Sequence, residues 1–217
     1  MTNTLITFGD SWPAGSENSN NTPTLGHWCA QQLDMQFRNY AVPSTGVPHM
    51  LIQLDQAIKD NGTDFTALFC LSSATRSWYY DDDHSPNLGW KEIHVSGIED
   101  PAVDAYYRYL YTDELAQMNF AINILALQKI CAAHNIQDYY VSCWSTVEQF
   151  SLPGINAQRI HPITMCDMIA ARQNYRLDVN IESDSEYVRP NQNHPNAHGH
   201  KHIGTTIAEW IQNDTRT

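Results

Sequence analysis

The stretch "LITFGDSWPAG", residues 5–15, decides how the rest of the chain is read. It begins as a short apolar, β-prone run, Leu5-Ile6-Thr7-Phe8, and stops at Gly9-Asp10-Ser11 before Trp12-Pro13-Ala14-Gly15. Gly, Asp, Ser and Pro all favour a tight change of direction. A serine therefore stands on a sharp corner at the end of the first strand. Such a corner is either a plain turn or the seat of a nucleophile raised above a sheet edge.

Working outward, apolar runs of the same kind recur at 36–42 ("QFRNYAV"), 65–71 ("FTALFCL") and 138–143 ("DYYVSC"). Helical patterns lie between and after them, at about 24–34, 47–59, 113–134, 162–171 and 196–212. In 113–134 the spacing predicts a buried stripe of Leu115, Met118, Ile122, Leu125 and Ile130, with Asn135 ending the helix. Strands alternating with helices over short connections predict an α/β fold on a mostly parallel sheet. In such sheets the working residues sit at the carboxyl ends of the strands, where Ser11 falls. Residues 77–112 break the alternation: they are long, irregular and aromatic (Trp78, Tyr79, Tyr80, Trp90, Tyr106, Tyr107, Tyr109, Tyr111). They read as a lid-like insertion in one domain spanning 1–217. Their rings are suited to stacking sugars or lining an acyl pocket, and equally to filling a small satellite core.

Near the other end stands "NQNHPNAHGHKHIGTTIAEWI", residues 191–211. His194 precedes Pro195, which favours a first helical turn, and Asn196 helps to satisfy that turn. Ile203, Ile207 and Ile211 then give the helix one apolar face. His194 is thus expected at the lip of the last helix, within reach of the top of the sheet. Ser11 and His194 supply the nucleophile and the base of acyl transfer. His194, His198 and His202 also recur at four-residue spacing, as metal ligands do. No carboxylate of the HExxH kind accompanies them, so an exposed polar face is expected instead of a metal site, and a zinc-dependent enzyme is the weakest reading.

Bulk properties narrow the field. The 217 residues suffice for one sizeable core, and 42% hydrophobic with 17% charged residues suits a globular protein. Asp and Glu number 24 against 12 Lys and Arg, a net charge of −12, which disfavours nucleic acid and repels an anionic membrane surface. The five cysteines, Cys29, Cys70, Cys131, Cys143 and Cys166, form no ligand spacing. They read as buried free thiols, which points to a reducing compartment or to a protein without a disulfide framework. "MTNTLITFGD" carries no basic start or long apolar stretch of a signal peptide, so a cytoplasmic location is expected.

"FGDSWPAG" resembles the first block of the SGNH (GDSL-type) hydrolases, and "HPNAHGHKHIG" resembles their last. The resemblance spans nearly the whole chain in order and position. It implies a flavodoxin-like three-layer α/β/α sandwich and an esterase, lipase or carbohydrate deacetylase that needs no cofactor and no metal. It casts Ser11 as nucleophile and His194 as general base. "NYAVPSTGVP" is similar to the second block, where an Asn is followed five residues on by a Gly whose N–H helps bind the oxyanion; from Asn39 that position is Ser44, with Gly46 two residues later. The third block usually supplies an oxyanion Asn, but here the strand ends "CLSSATRSW" with Ala74 in roughly that place. Ser72, Ser73 and Arg76 are the candidate replacements. The usual Asp three residues before the catalytic His is Asn191 in this chain, with Asp184, Glu186 or a backbone carbonyl as other orienters of the ring.

Trp12, Arg76 and Trp78 are candidates for the substrate lip, Arg76 either holding a substrate anion or pairing with Asp81, Asp82 or Asp83. The expected activity is ester hydrolysis on a small molecule or glycan, with a deacetylated carbohydrate favoured. A non-catalytic glycan-binding or structural module of the same fold is the alternative.

Overall fold

The computed structural model describes residues 4–15, 22–80, 90–93, 100–144, 152–173 and 194–214. Asn191, Asp184, Glu186 and the Asp81–Asp83 run lie outside them, as do the side chains of Trp78 and Trp90. Four parallel strands form the sheet: β1 (Thr4–Gly9), β2 (Gln36–Asn39), β3 (Thr66–Leu71) and β6 (Gln137–Ser142), in the order β2-β1-β3-β6. Each overlaps a predicted run; β1, β3 and β6 are covered on both faces and so are largely apolar on both, whereas β2 is an exposed edge strand.

Side chains on β1, β3 and β6 divide by a period of two between the sheet's faces. Leu5, Leu68, Cys70, Tyr139 and Val141 join α2 (Leu25–Gln32), α6 (Met165–Gln173) and α7 (Ala197–Gln212). Ile6, Phe8, Ala67, Phe69, Leu71 and Tyr140 join α3 (His49–Asn61) and α5 (Asp113–Ala133). The result is the expected three-layer α/β/α arrangement. On the second face Phe8 stacks on Phe69 at 4.7 Å between ring centroids and Phe69 on Tyr140 at 4.9 Å, one ladder of rings across three strands. On the first face α7 crosses α2 at Gly204, where a Cβ would collide with the Leu25 carbonyl oxygen.

Helix ends follow their sequence signals. Asn196 caps α7, its Oδ1 accepting from the N–H of His198 and of Gly199, and the Thr112 hydroxyl caps α5 by accepting from Leu115 N–H. At the far end of α5, Asn135 adopts φ 57, a left-handed exit that Asn tolerates. The buried face of α5 differs from the expected stripe. Phe120, Ile124, Leu127 and Cys131 face the core, while Leu115, Met118 and Ile122 are exposed. This helix is apolar nearly all round, so periodicity alone does not choose its face.

The described parts of 77–112 are more regular than their composition suggests. They contain an antiparallel pair, β4 (Ser77–Tyr80) and β5 (Trp90–Ile93), and a helix, α4 (Pro101–Tyr109), capped by Asp100 with Pro101 in its first turn. Tyr106, Tyr107 and Tyr111 pack on one another, the Tyr107 hydroxyl donating to the Thr75 carbonyl at 2.9 Å. All five cysteines are free and buried. Among the described residues no helix is long and apolar enough to cross a membrane.

Candidate active site

The chain leaves β1 for β2 on one side and later returns to β3 on the other, so a crevice opens beyond the carboxyl ends of β1 and β3. Ser11 stands there, first residue of the short helix α1 (Ser11–Ala14). Gly9 makes the corner possible: its φ is +146, and a Cβ there would lie 2.6 Å from Pro13 Cγ and 2.7 Å from the Cys70 carbonyl oxygen. His194, half-buried and just before α7, brings Nε2 to 2.9 Å from Ser11 Oγ. With the proton on Nδ1, Nε2 accepts from the serine hydroxyl, the arrangement a general base requires. Residues 183 positions apart thus meet across the crevice.

Three side chains fix the corner. Gln53, 3% exposed on α3, accepts from Gly9 N–H through Oε1 at 2.9 Å and donates to the Gly9 carbonyl through Nε2 at 2.9 Å. Asn39 donates to the Pro13 carbonyl at 2.9 Å, and its Oδ1 accepts from the Thr7 hydroxyl and the Ala41 N–H. Asp10 caps α1 by accepting from Trp12 N–H and faces Arg76, whose Nη1 lies 3.2 Å from Asp10 Oδ2 and donates to the Thr45 carbonyl at 3.0 Å. Burial pushes the Asp10 carboxyl above the usual carboxylate range, and Arg76 is the largest opposing influence, ahead of His194.

The other expected site residues fall out as follows. Ser44 sits in the left-handed region at φ 62, holding as a serine the conformation that glycine holds best. Gly46 packs under Arg76, where a Cβ would come 3.1 Å from Arg76 Cβ. The Ser73 hydroxyl is engaged with Thr75, 2.8 Å from its Oγ1, and Ser72 is fully buried. Arg76 pairs with Asp10, and the 81–83 run lies outside the described residues. Trp12 is not at the lip, because α1 turns its indole into the core, leaving it 5% exposed. Trp144, which the sequence does not single out, lies next to it at the end of β6. It is 51% exposed beyond the end of β6, its ring against Trp12 at 5.6 Å between centroids. Its only sequence signal is a tryptophan at the end of an apolar run.

The histidines of α7 separate by role. His198 is exposed, His200 is buried with Nδ1 accepting from Leu25 N–H at 3.2 Å, and His202 is half-buried with Nε2 3.0 Å from the Met168 carbonyl oxygen. The expected polar face is thus partly a packing face against α2 and α6. Among the described residues no three His, Cys, Asp or Glu side chains converge as a metal site would require.

The sequence matches no protein-family model and no curated protein. The backbone does match solved structures over nearly the whole chain. The psychrotrophic esterase EstA from Pseudoalteromonas sp. superposes with a TM-score of 0.56 at 15% identity, covering 97% of each chain. A protein assigned to the lipolytic G-D-S-L family from Desulfitobacterium hafniense gives 0.54 at 11%, covering 96% of this chain and 99% of its own. A carbohydrate esterase, whose active site is described as having divergent catalytic and non-catalytic binding functions, gives 0.55 at 11%, covering 99% of this chain and 66% of its own. At such identities the likeness rests on the path of the backbone, and by that path the chain has the fold of the SGNH (GDSL-type) hydrolases.

Proposed function

We propose that the protein is a serine esterase that cleaves carboxylic esters by acyl transfer, with an acylated carbohydrate as its favoured substrate. The observation that carries this reading is the 2.9 Å contact between Ser11 Oγ and His194 Nε2 at the switch point of the sheet. Ser11 Oγ attacks the ester carbonyl while His194 takes its proton. The backbone N–H groups of Ser11 and of Ser44 or Gly46 receive the oxyanion. His194 protonates the departing alkoxide, and then activates the water that releases the acyl group. No cofactor enters these steps.

Ala74 leaves the third block without its side-chain donor, and one lost oxyanion donor costs about 3–4 kcal/mol of transition-state stabilisation. Turnover is therefore expected to be slow. The same substitution favours a second reading, a glycan-binding module of this fold that has lost its chemistry. The carbohydrate preference draws on the likeness to the carbohydrate esterase and on the aromatic surroundings of the site.

The test is hydrolysis of p-nitrophenyl acetate and butyrate by the wild type, Ser11→Ala and His194→Ala, with EDTA as a control. Turnover abolished in both variants and indifferent to EDTA is expected. Full activity in Ser11→Ala sinks the serine mechanism, and an inert wild type that also fails to react with a phosphonate favours the binding module.

A further inference from the structure

We propose that the outer face of α5 is a dimerisation surface, on which a second copy of this chain packs its own α5 antiparallel about a twofold axis at Ile122. This goes beyond the esterase reading and does not depend on it. A helix apolar on every side belongs in an interior. Only one side of α5 has an interior: Phe120, Ile124, Leu127 and Cys131 join the core, while Leu115, Met118 and Ile122 face outward and Leu125 is half-buried beside them. The outward residues follow one another at three, four and three positions, and exposed Lys129 continues the row four positions on. That spacing is the seam of a helix pair.

Area allows such a partner. Tyr109 ends α4 and Leu110 follows it, so chain length alone keeps both within about 14 Å of Asp113 at the start of α5. With Leu115, Met118 and Ile122 they are 36–75% exposed. At about 200 Å2 for each such side chain when bare, the five expose about 500 Å2 per chain, near the upper end of what a monomer carries. Doubled across a twofold this is about 1,000 Å2, where specific interfaces begin. Exposed Gln117 and Asn119 add the polar flank that interfaces have.

Charge selects a second copy and fixes its direction. The net charge of −12 repels another copy wherever opposite signs do not meet. α5 carries both signs, with Asp113 and Glu114 in its first turn and Lys129 toward its other end. Glu114 and Lys129 are exposed, and neither makes a hydrogen bond or ion pair among the described residues. With the twofold at Ile122, Leu115 lies level with the partner's Lys129, because both stand seven residues from the axis. Glu114 is then one residue's rise, about 1.5 Å along the helix, from that ammonium's level. Symmetry makes the pair twice, and the two helix dipoles oppose. A parallel pairing would set Glu114 against Glu114 instead.

Sedimentation velocity of the full chain at about 1–100 µM reads the association directly. We expect a dimer that forms as concentration rises. Ile122→Glu sets two carboxylates against each other on the axis and should leave a folded monomer. Glu114→Lys and Lys129→Glu should each weaken the dimer about tenfold, and Glu114→Lys/Lys129→Glu should regain the wild-type affinity. The charge reversal keeps the test intact should Ile122→Glu fail to fold. A wild type that stays monomeric at the highest concentration, a dimer indifferent to Ile122→Glu, or a double variant no tighter than the single ones overturns the proposal.

Discussion

Replacing Arg76 by Met tests whether the ion pair under the nucleophile corner holds the site together. Asp10 is 2% exposed, and the Arg76 side chain 17%. Removing one partner of a buried pair costs about 3–5 kcal/mol, because the other charge stays buried and unmatched. Water still reaches part of Arg76, so the lower end applies, about 3 kcal/mol. For a chain of this length that corresponds to a fall of roughly 6–12 °C in melting temperature. The sign with pH follows from Asp10. Its carboxyl already titrates above its usual range, and without Arg76 it titrates higher still. A raised carboxylate pKa penalises the fold wherever the group must ionise, so the penalty is full above the folded pKa and disappears below the unfolded one. Urea unfolding followed by circular dichroism at pH 8 and pH 4.5 should show a large gap between wild type and variant at pH 8 and a smaller one at pH 4.5. Adding Asp10→Asn to the variant should recover stability at pH 8. A loss below about 0.5 kcal/mol, within the range of an ordinary surface substitution, or a gap of equal size at both pH values, would refute the reasoning.

Two further changes probe the frame around the site. Gln53→Leu removes two hydrogen bonds from the Gly9 backbone and should cost about 2 kcal/mol at roughly 1 kcal/mol each, with slower phosphonate labelling of Ser11; unchanged labelling would show that Gln53 does not set the corner. His161 is buried, its Nδ1 2.9 Å from the Ile163 carbonyl oxygen and 3.1 Å from Ile163 N, and burial pushes its pKa down. The unfolded chain therefore takes up a proton that the folded one refuses, and stability present above the ordinary histidine range is lost as pH falls through it, by at most about 1.4 kcal/mol per pH unit. His161→Gln should flatten that slope between pH 7.5 and 5.5 in denaturant titrations; an unchanged slope would assign the effect elsewhere.

The sheet and its covering helices were legible because parallel strands buried on both faces leave unbroken apolar runs, and helices between them carry a different period. Legibility failed where period and composition lose their meaning. α5 is apolar on nearly every side, so the stripe through Leu115, Met118 and Ile122 was as regular as the one through Phe120, Ile124 and Leu127 that is buried. In 77–112 the antiparallel pair and α4 are short and rich in aromatics, and neither pattern runs long enough to stand out. The meeting of Ser11 and His194 could be expected because each sits at an element boundary with its own turn chemistry. The Asp10–Arg76 pair could not, because it joins residues 66 positions apart whose only shared feature is the edge of the sheet they reach. Trp12 escaped for a similar reason: sequence shows an aromatic beside Ser11 but not that a four-residue helix turns it into the core.

The eroded blocks and the intact frame argue together. Ser44 keeps φ 62 at a cost of about 1–2 kcal/mol for a non-glycine residue, and such strain persists only where the surroundings over-determine it. Those surroundings are specific. The next residue, Thr45, gives its carbonyl to Arg76, and its hydroxyl donates to the Val42 carbonyl at 2.8 Å. Arg76 in turn grips Asp10, Gln53 grips Gly9, and Asn39 grips Pro13, so every residue from Gly9 to Pro13 lies between anchored points. A surface that only binds glycans has no need for one serine hydroxyl to stay within 2.9 Å of one imidazole nitrogen. A nucleophile does, because general-base catalysis depends on that distance. Ala74 in place of an Asn donor lowers the rate that the proposed mechanism predicts, yet the anchoring of the corner fits the demands of acyl transfer and supports that proposal over the binding module.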